Sequence, residues 1–153
     1  MSYPYKFVID TSAMLSQKGD EMFRRSVFRS QWTALDEMVK NEEVVICSEI
    51  RDEVQDESIK QWMLECSMKV LPLDAEVQGH VKTVVKTNTE LVDFKANKSS
   101  GDAFLIATAM KYGLTVITNE NKTSPKKIPY TCELLNVPCM NIIEFFESQR
   151  FVY

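Results

Sequence analysis

Histidine is nearly absent from this 153-residue chain: His80 is the only one, and the four cysteines, Cys47, Cys66, Cys132 and Cys139, form no Cys-x-x-Cys pair. That argues against a structural zinc site and against a Ser-His or Cys-His catalytic dyad. The thiols read as reduced and mostly buried. His80 reads as a surface or boundary residue, because no second histidine exists to share a ligand with it. No apolar run approaches the ~20 residues that a bilayer span needs. Nor does the N-terminus show the basic segment and apolar stretch of a signal peptide, so the expected location is the cytoplasm. Positive charge is not in excess either: 18 Lys and Arg against 22 Asp and Glu leave a net charge of −4. Any contact with phosphate must then be local rather than global. Glycine and proline are scarce, at 4 and 5 residues. With no linker, repeat or low-complexity segment, the expectation is one domain over residues 1–153.

What the chain does have is an alternation of short apolar runs and helical patterns. Phe7-Val8-Ile9 lacks period-2 alternation and reads as a strand buried on both faces. Val44 to Cys47, Met68 to Leu71 and Leu114 to Thr118 read the same way, and Pro138-Cys139-Met140 as a last strand-like piece. Between them, helices are expected over Met22 to Phe28 and Gln31 to Val39, the latter with Trp32, Leu35 and either Met38 or Val39 on one face. Further helices are expected from an N-cap at Ser48 to about Gln55, over Ser58 to Glu65, and from Asp74 along the Val77, Val81, Val84 and Val85 stripe. Ala103 to Met110 is apolar almost all round, which marks a central buried helix closed by Gly113. A short helical turn follows Ile128-Pro129, and a terminal helix covers Ile142 to Gln149. Met14 to Gly19, Phe94 to Gly101 and the basic stretch Asn121 to Lys127 read as loops. The alternation predicts a single three-layer α/β/α domain with a mainly parallel central sheet.

In such sheets chemistry sits beyond the carboxyl ends of the strands. Asp10 ends the first strand, Glu49 and Glu53 lie on one face of the helix after the second, and Glu120 lies just past the fourth. Asp102 occupies the first turn of the buried helix, where the free N–H groups favour a carboxylate. Carboxylates gathered in one place repel one another, and a hard divalent cation, Mg²⁺ or Mn²⁺, removes the conflict. Such an ion activates water against a phosphodiester. Thr11, Ser12, Thr118 and Asn119 are candidates to orient the carboxylates or their waters. Each acid taken alone reads more readily as a turn or capping residue, or, for Glu49 and Glu53, as one solvated helix face; it is the four together that point to a site. A phospho-acceptor role for Asp10 is disfavoured, because that chemistry usually wants a second acid two residues on and Ser12 stands there.

Four segments, VIDTSA at 8–13, VVICSEIRDEV at 44–54, GDAFLIATA at 101–109 and TVITNE at 115–120, together resemble the PIN-domain family, the fold of VapC-type ribonuclease toxins. More narrowly the chain is similar to an uncharacterised PIN-like branch. It shares that branch's F-x-x-x-W pattern at Phe28 to Trp32, its K-I-P-x-x-C run at Lys127 to Cys132, and a closing VPCMNIIEFF at 137–146. Arg24 and Arg29 depart from positions where proline is common there, and Tyr130 from one where an acid is common. The resemblance implies a Mg²⁺- or Mn²⁺-dependent endoribonuclease with Asp10, Glu53, Asp102 and Glu120 as catalytic and metal-holding acids. Glu49-Ile50 fits the acid-then-apolar rule as Glu53-Val54 does; Glu53 is preferred, with Glu49 as its neighbour. The implied partners are an RNA substrate, a cognate antitoxin protein and a second copy of the chain, with no membrane. Arg24, Arg25 and Arg29, with Lys122, Lys126 and Lys127, are the expected RNA-binding cluster, and Lys95 and Lys98 precede Asp102.

Overall fold

The computed structural model describes residues 3–91 and 101–150. Its frame is a five-stranded, all-parallel sheet: β1 (Phe7–Ile9), β2 (Val44–Cys47), β3 (Val70–Leu71), β4 (Thr115–Ile117) and β5 (Cys139–Met140), in the order β3-β2-β1-β4-β5. Every residue of β1 and β2 is buried, which requires helices on both faces and explains why these strands show no alternation. The helices are α1 (Thr11–Leu15), α2 (Arg29–Lys40), α3 (Ser48–Glu53), α4 (Glu57–Glu65), α5 (Ala75–Thr87), α6 (Gly101–Tyr112), α7 (Ile128–Leu134) and α8 (Ile142–Ser148). The expected α/β architecture is therefore the one found. Among the described residues no helix is long and apolar enough to cross a membrane.

The chain leaves β1 toward β2 and β3 on one side and returns to β4 and β5 on the other. β1 and β4 therefore form the switch point where a crevice opens beyond the strand ends. Their register pairs Phe7, Val8 and Ile9 with Thr115, Val116 and Ile117, and the Asp10 N–H donates to the Ile117 carbonyl at 2.9 Å. The first residue past β1 is thus pinned beside the end of β4.

Helix α6 runs through the core, with Ala103 and Leu105 to Ala109 all buried. It packs against α3, α5 and α7 and against β1, β2 and β4. Gly113 ends it at φ +68°, the left-handed conformation that favours glycine, and the Leu114 N–H returns to the Ala109 carbonyl at 2.9 Å. Helices α2 and α8 meet through Trp32 and Phe146, whose rings lie 5.4 Å apart edge to face, while Phe145 sits 5.0 Å from Phe7 of β1. In the α2 stripe Val39, not Met38, completes the fully buried set with Trp32 and Leu35.

Four local expectations need correction. Thr11–Leu15 is helical where a loop was expected from Met14, because Asp10 takes the cap position and its carbonyl accepts from the Ala13 and Met14 N–H groups. Met22 to Phe28 is not a helix but a series of turns. Met22 and Val27 are 75% and 60% exposed, so the segment has no continuous apolar face to bury. It is held instead by the Trp32 indole N–H on the Phe23 carbonyl at 2.7 Å and by Arg25. Ser48 is not a cap: Cys47 occupies that place and Ser48 is the first helical residue. The third strand is only Val70–Leu71, because Met68 closes α4 through its N–H on the Met63 carbonyl, with Ser67 at φ 51°. The loop expected over Phe94 to Gly101 lies almost wholly outside the described residues, as do Lys95 and Lys98; only its last residue, Gly101, is described, and it begins α6.

Candidate functional site

Asp10 is 4% exposed, and both hydroxyls that hold it aim at one oxygen. Ser12 Oγ donates to Asp10 Oδ2 at 2.8 Å and Thr118 Oγ1 to the same atom at 3.0 Å. The two hydroxyls are 3.1 Å apart, the Asn119 N–H donates to Ser12 Oγ at 3.0 Å, and the Glu120 N–H to Thr118 Oγ1 at 3.2 Å. The ends of β1 and β4 are thereby laced into one unit around the carboxylate, with Asp10 Oδ1 left without a protein partner among the described residues. Ser12 and Thr118 stand where the sequence places orienting groups. Thr11 does not join them: its hydroxyl is buried without a hydrogen bond. Asn119 acts through its backbone, since its side-chain Oδ1 accepts from the Ile142 N–H at 2.9 Å and ties the loop to α8.

Asp102, in the first turn of α6, is the most perturbed acid. Burial, then the charges of Glu120, Asp10 and Glu53, push its carboxyl from 3.8 up to about 7, against a smaller opposing pull from Lys127. Glu120 is also raised, by burial and by Asp10, although the Ile128 N–H on Oε1 (3.2 Å) and Lys127 Nζ near Oε2 (3.7 Å) oppose the shift. Glu53 stays largely solvent-facing but is raised too, by its buried part and by Asp10, Glu49 and Glu120. That four residues from four crossovers feel one another's charge is the physical content of the site.

Glu53 and Glu49 behave differently. Glu53 Oε1 accepts the Gly101 N–H at 3.0 Å, at the start of α6 beside Asp102. Glu49 makes no comparable reach and acts on Glu53 only as a neighbouring charge. The approach depends on Gly101: a Cβ there would stand 2.3 Å from Glu53 Oε1 and 2.6 Å from Oε2. Sequence reasoning passed over Gly101; its one signal was a glycine opening a helix where no turn demands one. Gly101→Ala should displace the Glu53 carboxylate while keeping the fold, since the side-chain end can swing away. An activity loss of about 10- to 100-fold is expected, the range for disturbing an outer partner of a metal ligand, matched by Glu53→Gln but not by Glu49→Gln.

The donor set fits a hard cation. All candidate ligands are oxygens, with no imidazole or thiolate among them, which suits Mg²⁺ or Mn²⁺ rather than zinc. Among the described residues no group of three or more His, Cys, Asp or Glu side chains stands close enough together to hold a metal ion; an ion here would take one or two carboxylates directly and keep several waters.

The basic residues divide. Arg25 is committed to structure: its guanidinium makes paired bonds of 2.7 and 2.9 Å to Asp36, reaches Gln17 Oε1, and lies 5.6 Å over the Trp32 ring. Lys122 pairs with Glu144 at 2.7 Å and Lys127 faces Glu120. Arg29 and Lys126 are exposed, and Arg24, half-buried, donates only to the Glu21 carbonyl. Two open clefts border these groups. One, of about 550 Å³, is lined by Gln17, Gly19, Arg25, Ser26, Arg29 and Thr33. The other, of about 400 Å³, runs from Met22 and Phe23 to Asn119, Glu120 and Lys122.

Solved structures with the same fold include PAE2754 from Pyrobaculum aerophilum, at 13% identity, 96% of this chain and 90% of that one, with a TM-score of 0.55. FitAcB from Neisseria gonorrhoeae matches at 18% identity over 90% and 98% of the two chains, with a TM-score of 0.53. DNA-bound VapBC from Salmonella typhimurium matches at 15% identity over 90% and 98%, with a TM-score of 0.57. No curated protein sequence matches the chain. The model of one sequence family, described as a domain of unknown function (DUF4411), matches residues 7–153. With a PIN-like fold and that match along nearly its whole length, the chain belongs to the DUF4411 family.

Proposed function

We propose that this chain is a Mg²⁺- or Mn²⁺-dependent endoribonuclease of the VapC toxin type, cutting single-stranded or structured RNA. The observation that carries the reading is the convergence of Asp10, Glu53, Asp102 and Glu120 beyond the strand ends, where burial first and then the charges of the other three push the Asp102 carboxyl up to about 7. A protein that gathers one buried and several partly buried acids without a matching cation loses stability unless a cation arrives from outside. Asp10, Asp102, Glu120 and Glu53 would hold that ion. When bound, it supplies a polarised phosphodiester oxygen and a water acidic enough to attack phosphorus near neutral pH. Ser12 and Thr118 fix Asp10 through Oδ2, which leaves Oδ1 as the oxygen available to an ion. Gly101 seats Glu53, and Asp102 gives up its proton as positive charge approaches. Arg24, Arg29 and Lys126 are the groups left to meet RNA phosphates, with Lys122 and Lys127 available if RNA displaces their carboxylate partners.

An antitoxin protein and a second copy of the chain are the partners this reading carries with it. The deciding experiment is expression of the wild type and Asp10→Asn in cells, followed by sequencing of RNA 5′ ends. New ends should appear with the wild type and vanish with the variant; equal ends in both would end the reading. A second reading, a non-catalytic module binding RNA or protein, draws on the engagement of Glu120 by Ile128 and Lys127. It predicts no heat on titration with Mn²⁺.

A further inference from the structure

We propose that Cys132 and Cys139 form a dithiol that hydrogen peroxide converts into an intramolecular disulfide. The pair is built by the fold. Cys132 lies in α7, is 0% exposed, and its carbonyl accepts the Val137 N–H at 2.9 Å, which folds the chain back so that α7 packs on β5. Cys139 opens β5, which packs on α7, and its thiol lies near enough to that of Cys132 for each to perturb the other's ionisation. Both are free, and the other two cysteines, Cys47 and Cys66, are buried elsewhere.

The two thiols differ in the way an attacking and a resolving sulfur must. Cys139 is partly exposed and lines a cleft of about 220 Å³ together with Thr118, Lys122, Pro129 and Asn141. A small oxidant can enter there. Cys132 stands behind it, away from solvent. The Cys132 thiol, with some help from Lys122, lowers the Cys139 thiol below its ordinary value, while Cys132 is raised. A low, accessible thiol beside a second thiol is the arrangement of redox-responsive cysteines.

The step balances. The Cys139 thiolate attacks one peroxide oxygen, the O–O bond breaks, and hydroxide leaves as water once protonated, giving a sulfenic acid. Cys132 then loses its proton and attacks the Cys139 sulfur; the S–S bond forms, the S–O bond breaks and a second water leaves. Two thiols and one peroxide become one disulfide and two waters. The bond would lock α7 to β5. The Thr118 N–H donates to the Met140 carbonyl at 2.9 Å, so the lock bears on the segment just past β4 that holds Thr118 and Glu120.

The test needs no nuclease activity. Reduced full-length protein is treated with equimolar hydrogen peroxide, alkylated, digested and mapped by mass spectrometry. A Cys132–Cys139 cross-linked peptide, two hydrogens lighter and restored by dithiothreitol, is expected, with Cys47 and Cys66 alkylated as thiols. Cys132→Ala should accumulate dimedone-reactive sulfenic acid at Cys139 several-fold over the wild type. Wild-type protein that oxidises first at Cys47 or Cys66, or that carries sulfenic acid at Cys139 as persistently as the variant, overturns the proposal. The wild-type arm alone decides if the variant does not fold.

Discussion

Asp102→Asn will abolish RNA cleavage and at the same time make the metal-free protein more stable at pH 8. The loss follows from its place among the acids. Disturbing outer partners of metal ligands already costs about 10- to 100-fold, so removing a carboxylate that holds the ion should cost at least about 100-fold. The gain follows from linkage. The carboxyl titrates near 7 in the folded chain against 3.8 ordinarily. Below 3.8 it is protonated in both states and contributes nothing. Between 3.8 and 7 the unfolded chain releases a proton that the folded chain retains, so stability falls as pH rises, and above 7 the deficit is complete. Three pH units correspond to about 4 kcal/mol, and sharing of the repulsion among coupled acids brings the expected gain to roughly 2–4 kcal/mol. Urea denaturation in chelator should show the variant ahead of wild type at pH 8 and level with it near pH 4. A merely structural acid would give the reverse: lower stability with activity falling in proportion. A variant that keeps a tenth of the activity removes Asp102 from the site.

The second large effect is the response to metal. If the ion binds the folded chain alone, a hundredfold excess over Kd stabilises by about 2.7 kcal/mol. For a domain of this size that is a rise of roughly 5–10 °C in the melting midpoint. Mn²⁺ and Mg²⁺ should both produce it, and Ca²⁺ less, because its larger shell needs more protein oxygens than one or two carboxylates supply. The rise should be larger at pH 8 than at pH 6, since below 7 the ion must first displace the Asp102 proton. Asp10→Asn should lose it. An unchanged midpoint in the wild type, measured by calorimetry at both pH values, would favour the non-catalytic module.

The sheet was legible because burial on both faces leaves a plain mark: Phe7-Val8-Ile9 and Val44 to Cys47 could not be half-exposed strands, and helix-covered parallel strands were the remaining solution. Asp10, Asp102 and Glu120 were legible as candidates because each sits just past a strand end or in a first helical turn, positions that sequence order alone specifies, whereas Glu53 closes α3. What escaped was information held in three dimensions. Nothing in Met22 to Phe28 says that its apolar residues would lie open to solvent while Trp32 and Arg25 hold its backbone. Arg25 looked like a phosphate-binding group until Asp36 and Gln17 were found around it. What sets Glu53 apart from Glu49 is Gly101, 48 residues away, and an atom that glycine does not have.

The lacing of Asp10 to Thr118 spans 108 positions of chain. Contacts so distant in sequence form late, after the intervening crossovers have closed their loops. On a ribosome the first acid therefore emerges long before its partners, and the domain cannot gather the four carboxylates until Glu120 and the α7–β5 segment beyond it have cleared the exit tunnel. Under the proposed nuclease reading, the chain cannot cut RNA during its own synthesis, and the proposed antitoxin has the interval between release and the closing of β1 on β4 in which to meet it.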